Sequence, residues 1–497
     1  SLVFANDDAR AMMNLAGSEL CHLPGLNSDG VFLPSGRLYM DLGSHPEFCT
    51  PECLNPWDVV RYALAGDRIM ADLAAGASAS PQLTDVRVRK GNVDYASRAT
   101  WGCHESYSHR SGLSAMSGHL IPHLVSRICF TGAGGFNALA PGLEFMLSPR
   151  VAHLSSVISG DSTHARGIYH TKNEPLAGDG SYRLHLLCGE SLCSHVACWL
   201  KVGTTALVVS LIEAGRCPGN GVQLGAPLTA MGMFARDPQC KVQARLLGGG
   251  LASAVAIQRH YLELAEANLD ADFMPPWADE VCRQWRGVLD LLAGAPESAA
   301  TTLDWAIKLA MYRNRLGRHQ GIEWKDLPHW SIVLAALQDA LQNTPHAGKQ
   351  VGVDFVLASG SPLAPTVTAL TGQLRRQGLK WEQFRAFLEL RLELFEIDTR
   401  FGQLGGGGIF DSLDAAGVLT HRLDGVDDID HAMTHPPARG RAHLRGNCIR
   451  QFAGDNGMIS EDDRMETYRQ KLDRVLAIMD KWPQIDRQKM IPTEEFA

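Results

Sequence analysis

Two stretches of this chain alternate so strictly between apolar and polar side chains that they restrict its fold before anything else does. In GRLYMD (36–41), Leu38 and Met40 fall on one side of an extended backbone, and Arg37, Tyr39 and Asp41 fall on the other. In YRLHLL (182–187), Leu184 and Leu186 oppose Arg183 and His185 in the same way. A strand of this kind buries its apolar side and leaves its polar side open. A parallel sheet covered by helices on both faces has no open side, whereas an antiparallel sheet with helices on one face does. The stretch DVRVRKGNVD (85–94) alternates as well and is a third expected strand.

Long amphipathic patterns separate these strands. Their apolar spacing predicts helices over 6–17, 55–77, 114–135 and 193–215, then over 251–268, 276–294, 299–318, 330–342, 381–397 and 460–482. Asn55 followed by Pro56 is a capping residue with proline in the first turn, and Gly215 is a typical C-terminal stop. ASGSPLAPTVTALTG (358–372) reads as a loop. Strands with one polar face interleaved with such helices define an α+β fold class.

The remaining composition mainly excludes. A formal net charge of −8 argues against a dedicated nucleic-acid binder. Apolar runs such as TALVVSLI (205–212) are far shorter than the ~20 residues of a membrane span. The 12 cysteines contain no CxxC pair, and no basic-then-apolar leader precedes them, so they read as reduced thiols of a cytoplasmic protein. Cys188, Cys193 and Cys198 straddle a strand-to-helix transition and would point apart, so they are not expected to share a metal.

Four segments concentrate polar chemistry. On the first strand and just after it, Tyr39, Asp41 and Glu47 supply oxygens suited to Mg²⁺, with His45 and Thr50 close by, and Arg37 could fork onto a phosphate. A salt-bridged surface strand would use the same residues. In KGNVDYASRATWGCHESY (90–107), His104 and Glu105 are neighbours, so on a strand they face opposite sides. RGIYHTKNEPLAGDGSYRLHLLCGES (166–191) offers Glu174, Arg183 and His185. THPPARGRAHLRG (434–446) offers Arg439, Arg441 and Arg445 on a proline-stiffened loop, suited to carboxylate or phosphate, or simply to solvent. The glycine clusters LGGGLAS (247–253) and GGGG (405–408) match neither a P-loop nor a dinucleotide fingerprint.

Taken in order, FLPSGRLYMDLGSHPEFCTPEC, KGNVD, GCHESY, FTGAG, RGIYHTKNEP, YRLHLLCGES, LKVGTTALVVSLIEAG, SAVAIQRHY, LDWAIK, GIFDSLDAAG and PPARGRAHLRG resemble the blocks of the Pup–protein ligase and depupylase family. DLGSHPEF is closer to the ligase branch. The resemblance implies a glutamine synthetase-like fold, a curved antiparallel sheet with helices on one face. It implies a catalytic domain over 1–445 carrying a helical insertion near 326–385, and a small C-terminal domain over 446–497. It also implies ATP and Mg²⁺ as cofactors, with Asp41 as the catalytic carboxylate and Tyr39, Glu47 and Glu105 as metal ligands. Arg37, Thr50, His104, Arg183, His185, Arg441 and Arg445 are the implied nucleotide contacts. The implied reaction phosphorylates a glutamate side chain at the end of a small ubiquitin-like modifier, and a lysine of a protein substrate then attacks the acyl phosphate. A depupylase-like amidase and a homologue that binds without catalysis are the alternatives. The chain departs from the family pattern at Lys172, Asn173 and Leu176, and at Ser194, where a glutamate is expected.

Overall fold

A computed structural model describes residues 30–41, 45–79, 85–161, 164–171, 181–319, 321–349 and 351–453. The helices expected at 6–17 and 460–482, Glu174, and the departures at 172–176 lie outside these residues, as does nearly all of 446–497.

The α+β expectation is borne out, with two sheets carrying the polar faces. Strands β1 (Gly30–Leu33), β2 (Gly36–Asp41) and β3 (His45–Cys49) form one antiparallel sheet in that order. Strand β4 (Glu105–His109) belongs to the other sheet, and a small ribbon pairs β5 (Gly135–Phe136) with β6 (Phe145–Met146). With β7 (Ser156–Ser159), β8 (Gly167–His170) and β9 (Tyr182–Leu186), the second sheet runs β4-β9-β8-β7. The expected all-antiparallel sheet needs one correction, because β7 and β8 pair in parallel. A hairpin of β10 (Gln243–Arg245) and β11 (Leu251–Ser253) completes the strands.

Residues 85–94 do not form the expected strand. The segment makes only single bridges, Arg89 to Gln403 and Val93 to Thr100, because no continuous neighbour runs beside it.

Helices supply the mass behind the sheets. They are α1 (Pro56–Ser78), α2 (Leu113–Ser126), α3 (His195–Glu213), α4 (Pro227–Ala235), α5 (Ala254–Glu266) and α6 (Ala278–Gly294). Then follow α7 (Asp304–Leu316), α8 (Leu327–Gln342), α9 (Ala364–Arg376), α10 (Glu382–Phe401) and α11 (Arg441–Ala453). The loop expected at 358–372 is largely α9. Pro365 sits in its first turn, where the missing N–H costs nothing, and Leu370 and Leu374 bury one face.

Sequence signals explain most boundaries. The Asn55 side chain accepts the Asp58 amide at 2.8 Å to cap α1, and Gly215 takes the left-handed φ of +68° after α3. Helix α3 is long and apolar enough to cross a membrane, but most of it is buried inside the protein, with Trp199, Leu207, Val208 and Leu211 in the core. The first sheet rests on α1 through Leu33, Leu38, Ile69, Met70 and Leu73. Gly66 permits this approach, since a Cβ there would lie 2.2 Å from the Phe48 ring. The 326–385 segment is docked: Trp330 is fully buried beside Phe384 and Phe387, and Ser331 Oγ accepts the Leu143 amide at 3.0 Å.

Candidate active site

The site begins with strand register. Across β2 and β3, Arg37 opposes Cys49, Tyr39 opposes Glu47, and Asp41 opposes His45. Opposed residues share a face, so His45, Glu47 and Cys49 join the three polar residues of β2. Tyr39 Oη donates to Glu47 Oε2 at 2.5 Å. His45 Nε2 lies 3.3 Å from Glu47 Oε1 and 3.6 Å from Asp41 Oδ2. Among the described residues, Asp41, His45 and Glu47 are the one group of three or more His, Cys, Asp or Glu side chains whose ligand atoms lie within 4.8 Å of one another.

Burial pushes the Glu47 carboxyl up, but hydrogen bonds from His45 and Tyr39 and the charge of His104 outweigh it and hold the pKa at about 2. Burial, followed by the neighbouring Cys49 and Glu47, pushes the Tyr39 phenol well above its ordinary range. The Glu47 carboxylate and the Tyr39 phenol oxygen are donors of the hard kind that Mg²⁺ favours, and the Asp41 carboxylate stands close by. Arg37 stands beside it, its guanidinium carbon 5.1 Å from the Phe32 ring and 4.9 Å from the Tyr39 ring.

The second sheet turns its polar face to the same place. On β9, Leu184 and Leu186 are fully buried, as their alternation predicts, and Arg183 Nε donates to Ser106 Oγ at 2.9 Å on β4. The rings of His104 and His170 each lie 5.4 Å from that of His185. Glu47 lies within electrostatic reach of His104, and Cys49 within that of both Arg37 and Arg183, so the two polar faces are neighbours. Burial, then the nearby Arg150 charge, lowers His104 to about 4 and keeps it neutral near neutral pH.

Glu105 corrects the expected metal set. It faces Leu186 across the β4–β9 pair, on the buried side of the sheet, and is 5% exposed. There Arg127 grips both oxygens, at 2.6 and 2.9 Å, and the Tyr107 hydroxyl donates to Oε2 at 2.6 Å. Of the adjacent pair, His104 takes the open face and Glu105 the core, because successive strand residues alternate.

Ser194 is likewise structural: it is fully buried and caps α3 by accepting the Ala197 amide at 3.1 Å. Thr50 is exposed just beyond β3. The expected loop for the late arginines is also corrected. Arg439 lies exposed on the turn after Pro436 and Pro437, but Arg441 and Arg445 are on α11, one turn apart, and both reach Glu52.

Cys49, His170 and Glu52 were not singled out from the sequence, and His45 was noted only as a neighbour. The period-two spacing of His45, Glu47 and Cys49 carries the signal for the first three-residue face. No local signal pairs Glu52 with α11.

Comparison with known proteins shows the family and the fold. The profile described as Pup-ligase protein matches residues 5–337 and 368–462. A depupylase of Acidothermus cellulolyticus is 36% identical over 441 residues, covering 87% of this chain and 74% of that protein. Pup–protein ligase 1 of Rhodococcus erythropolis is 35% identical over 310 residues, covering 60% and 68%. In fold, the chain is similar to the Pup ligase PafA solved in complex with ADP, with a TM-score of 0.63, 24% identity, and coverage of 91% and 86%. It is similar also to PafA in complex with the prokaryotic ubiquitin-like protein Pup, with a TM-score of 0.67, 22% identity, and coverage of 97% and 92%. With most of its length matched by the profile and its fold shared with these enzymes, the chain belongs to the Pup-ligase protein family.

Proposed function

We propose that this protein is an ATP- and Mg²⁺-dependent ligase that joins the terminal glutamate side chain of a Pup-like modifier to a lysine amine. The observation that carries the reading is the Tyr39, Asp41, His45 and Glu47 cluster on the open face of β2 and β3. Tyr39 and Glu47 would hold Mg²⁺, which when bound neutralises phosphate charge during transfer. Arg37, Thr50, Arg441 and Arg445 would bind the phosphates, and Arg183, His104 and His185 would line the acceptor side. Asp41, its carboxylate on the open face beside His45, would take the proton of the attacking lysine amine. Support comes from the ADP-bound and Pup-bound structures of fold neighbours and from the ligases among its relatives. A cytoplasmic reaction is part of this reading, in keeping with the free cysteines among the described residues.

Depupylase-type cleavage of an isopeptide bond is the second reading. It is favoured by one observation, that the depupylase relatives match 87% of this chain and the ligase relatives about 60%. One assay separates the two. The full chain is incubated with MgATP, a glutamate-ended Pup peptide and a lysine-bearing protein, or with a preformed conjugate. Conjugate formation with matching ADP release supports the ligase, and cleavage of the conjugate alone supports the amidase.

A further inference from the structure

Between β3 and α1 the chain passes through Thr50, Pro51 and Glu52, and Glu52 is met there by a helix far along the sequence. Arg445, 393 residues later, donates Nη1 to Glu52 Oε1 at 3.1 Å and Nη2 to Oε2. Arg441, one turn earlier on α11, brings Nη2 to 3.8 Å from Oε1. Close packing holds the helix in this place. A Cβ on Gly446 would meet Pro436 at 2.4 Å and the Pro34 carbonyl at 2.9 Å, and one on Gly440 would lie 3.6 Å from Leu54. The Glu52 and Arg445 side chains are each 46% exposed. Exposed ion pairs add little stability, so this contact matters less for holding the fold than for where it sets the guanidiniums.

We propose that Glu52 is a positioning residue for the phosphate chain of a nucleoside di- or triphosphate, orienting Arg445 and Arg441 of α11 at the end of the β1–β3 sheet. This rests on the nucleotide reading given above. An arginine side chain has many rotamers to lose when it binds, and a carboxylate that already holds its fork removes part of that cost. Glu52 engages two of the five N–H donors of Arg445 and leaves the others for phosphate oxygens. The anchor itself is preset, because Pro51 is buried and Asn55 caps α1 three residues later.

The test compares MgADP and adenosine binding to the full chain by calorimetry, for wild type, Glu52→Gln and Glu52→Asp. Glu52→Gln is expected to weaken MgADP by about tenfold, the scale seen when an orienting outer partner is lost. Adenosine, which lacks phosphates, is expected to bind unchanged, and Glu52→Asp to restore part of the MgADP affinity. Unchanged MgADP affinity in Glu52→Gln overturns the proposal. So does tighter binding, which would make Glu52 a competitor of phosphate, and so does equal loss of adenosine, which would make it merely structural. Should Glu52→Gln not fold, Glu52→Asp against wild type makes the same comparison. A wild-type chain that binds neither ligand would instead bring down the nucleotide reading itself, and this proposal with it.

Discussion

The phenol of Tyr39 and the carboxylate of Glu47 face each other directly across β2 and β3, with Oη donating to Oε2 at 2.5 Å. A hydrogen bond to an ionised carboxylate is short and strong. Here it keeps Glu47 charged and aimed at Asp41 and His45.

Glu47→Ala should therefore abolish the Mg²⁺ dependence of ADP binding, and chelating the metal from wild type should produce the same affinity. Tyr39→Phe should weaken metal-dependent binding by about tenfold while leaving metal-free binding alone. Calorimetry with and without Mg²⁺ reads both effects. If Glu47→Ala kept a full Mg²⁺ response, the cluster would not be the metal site.

Asp41 is assigned to the lysine proton rather than to nucleotide. Asp41→Asn should cut conjugate formation by at least about 100-fold, the scale of a lost general base, while MgADP affinity stays within about threefold. Loss of nucleotide binding in proportion to rate would make Asp41 a ligand of the metal instead.

The buried Glu105–Arg127 pair predicts a stability effect without a change in the site. Glu105→Gln should cost about 3–5 kcal/mol, because it strands a buried guanidinium. The double variant Glu105→Leu, Arg127→Met should cost less than that single change. Urea unfolding measures both. MgADP affinity of the folded Glu105→Gln protein should match wild type, and a selective loss of Mg²⁺ dependence would return Glu105 to the metal set.

Acid should destabilise the fold through the half-buried His195. Burial, then the neighbouring His421 and Lys90 charges, lowers it from 6.5 to about 4. The unfolded chain protonates this side chain as pH falls below about 6.5, while the folded chain resists until about 4, so stability declines across that window as pH falls. The loss approaches roughly 3 kcal/mol at its lower end. Urea unfolding at pH 7.5, 6 and 5 should show the decline, and His195→Gln should flatten it. An unaltered slope in that variant would remove His195 from the account.

Much of the fold was legible because its signals are local. Leu184 and Leu186 went inward and Arg183 and His185 outward as alternation required, and Asn55 opened and Gly215 closed helices where expected. Misreadings fell where the deciding partner is distant. Residues 85–94 alternate like a strand but lack a continuous neighbour, and 358–372 reads as a loop although buried Leu370 and Leu374 fold much of it as helix.

The site divides along the same line. The sequence by itself determined which side chains share a face on each strand, because a period of two is a property of the backbone. It also determined that those faces are polar. Only the tertiary structure decided that the faces of the two sheets converge, that Glu105 belongs to Arg127 in the core, and that Glu52 meets Arg445 across 393 residues. Those choices depend on how helices α1, α3 and α11 pack behind and beside the strands. Packing is settled by shape and burial summed over the whole molecule, which no short stretch of sequence contains.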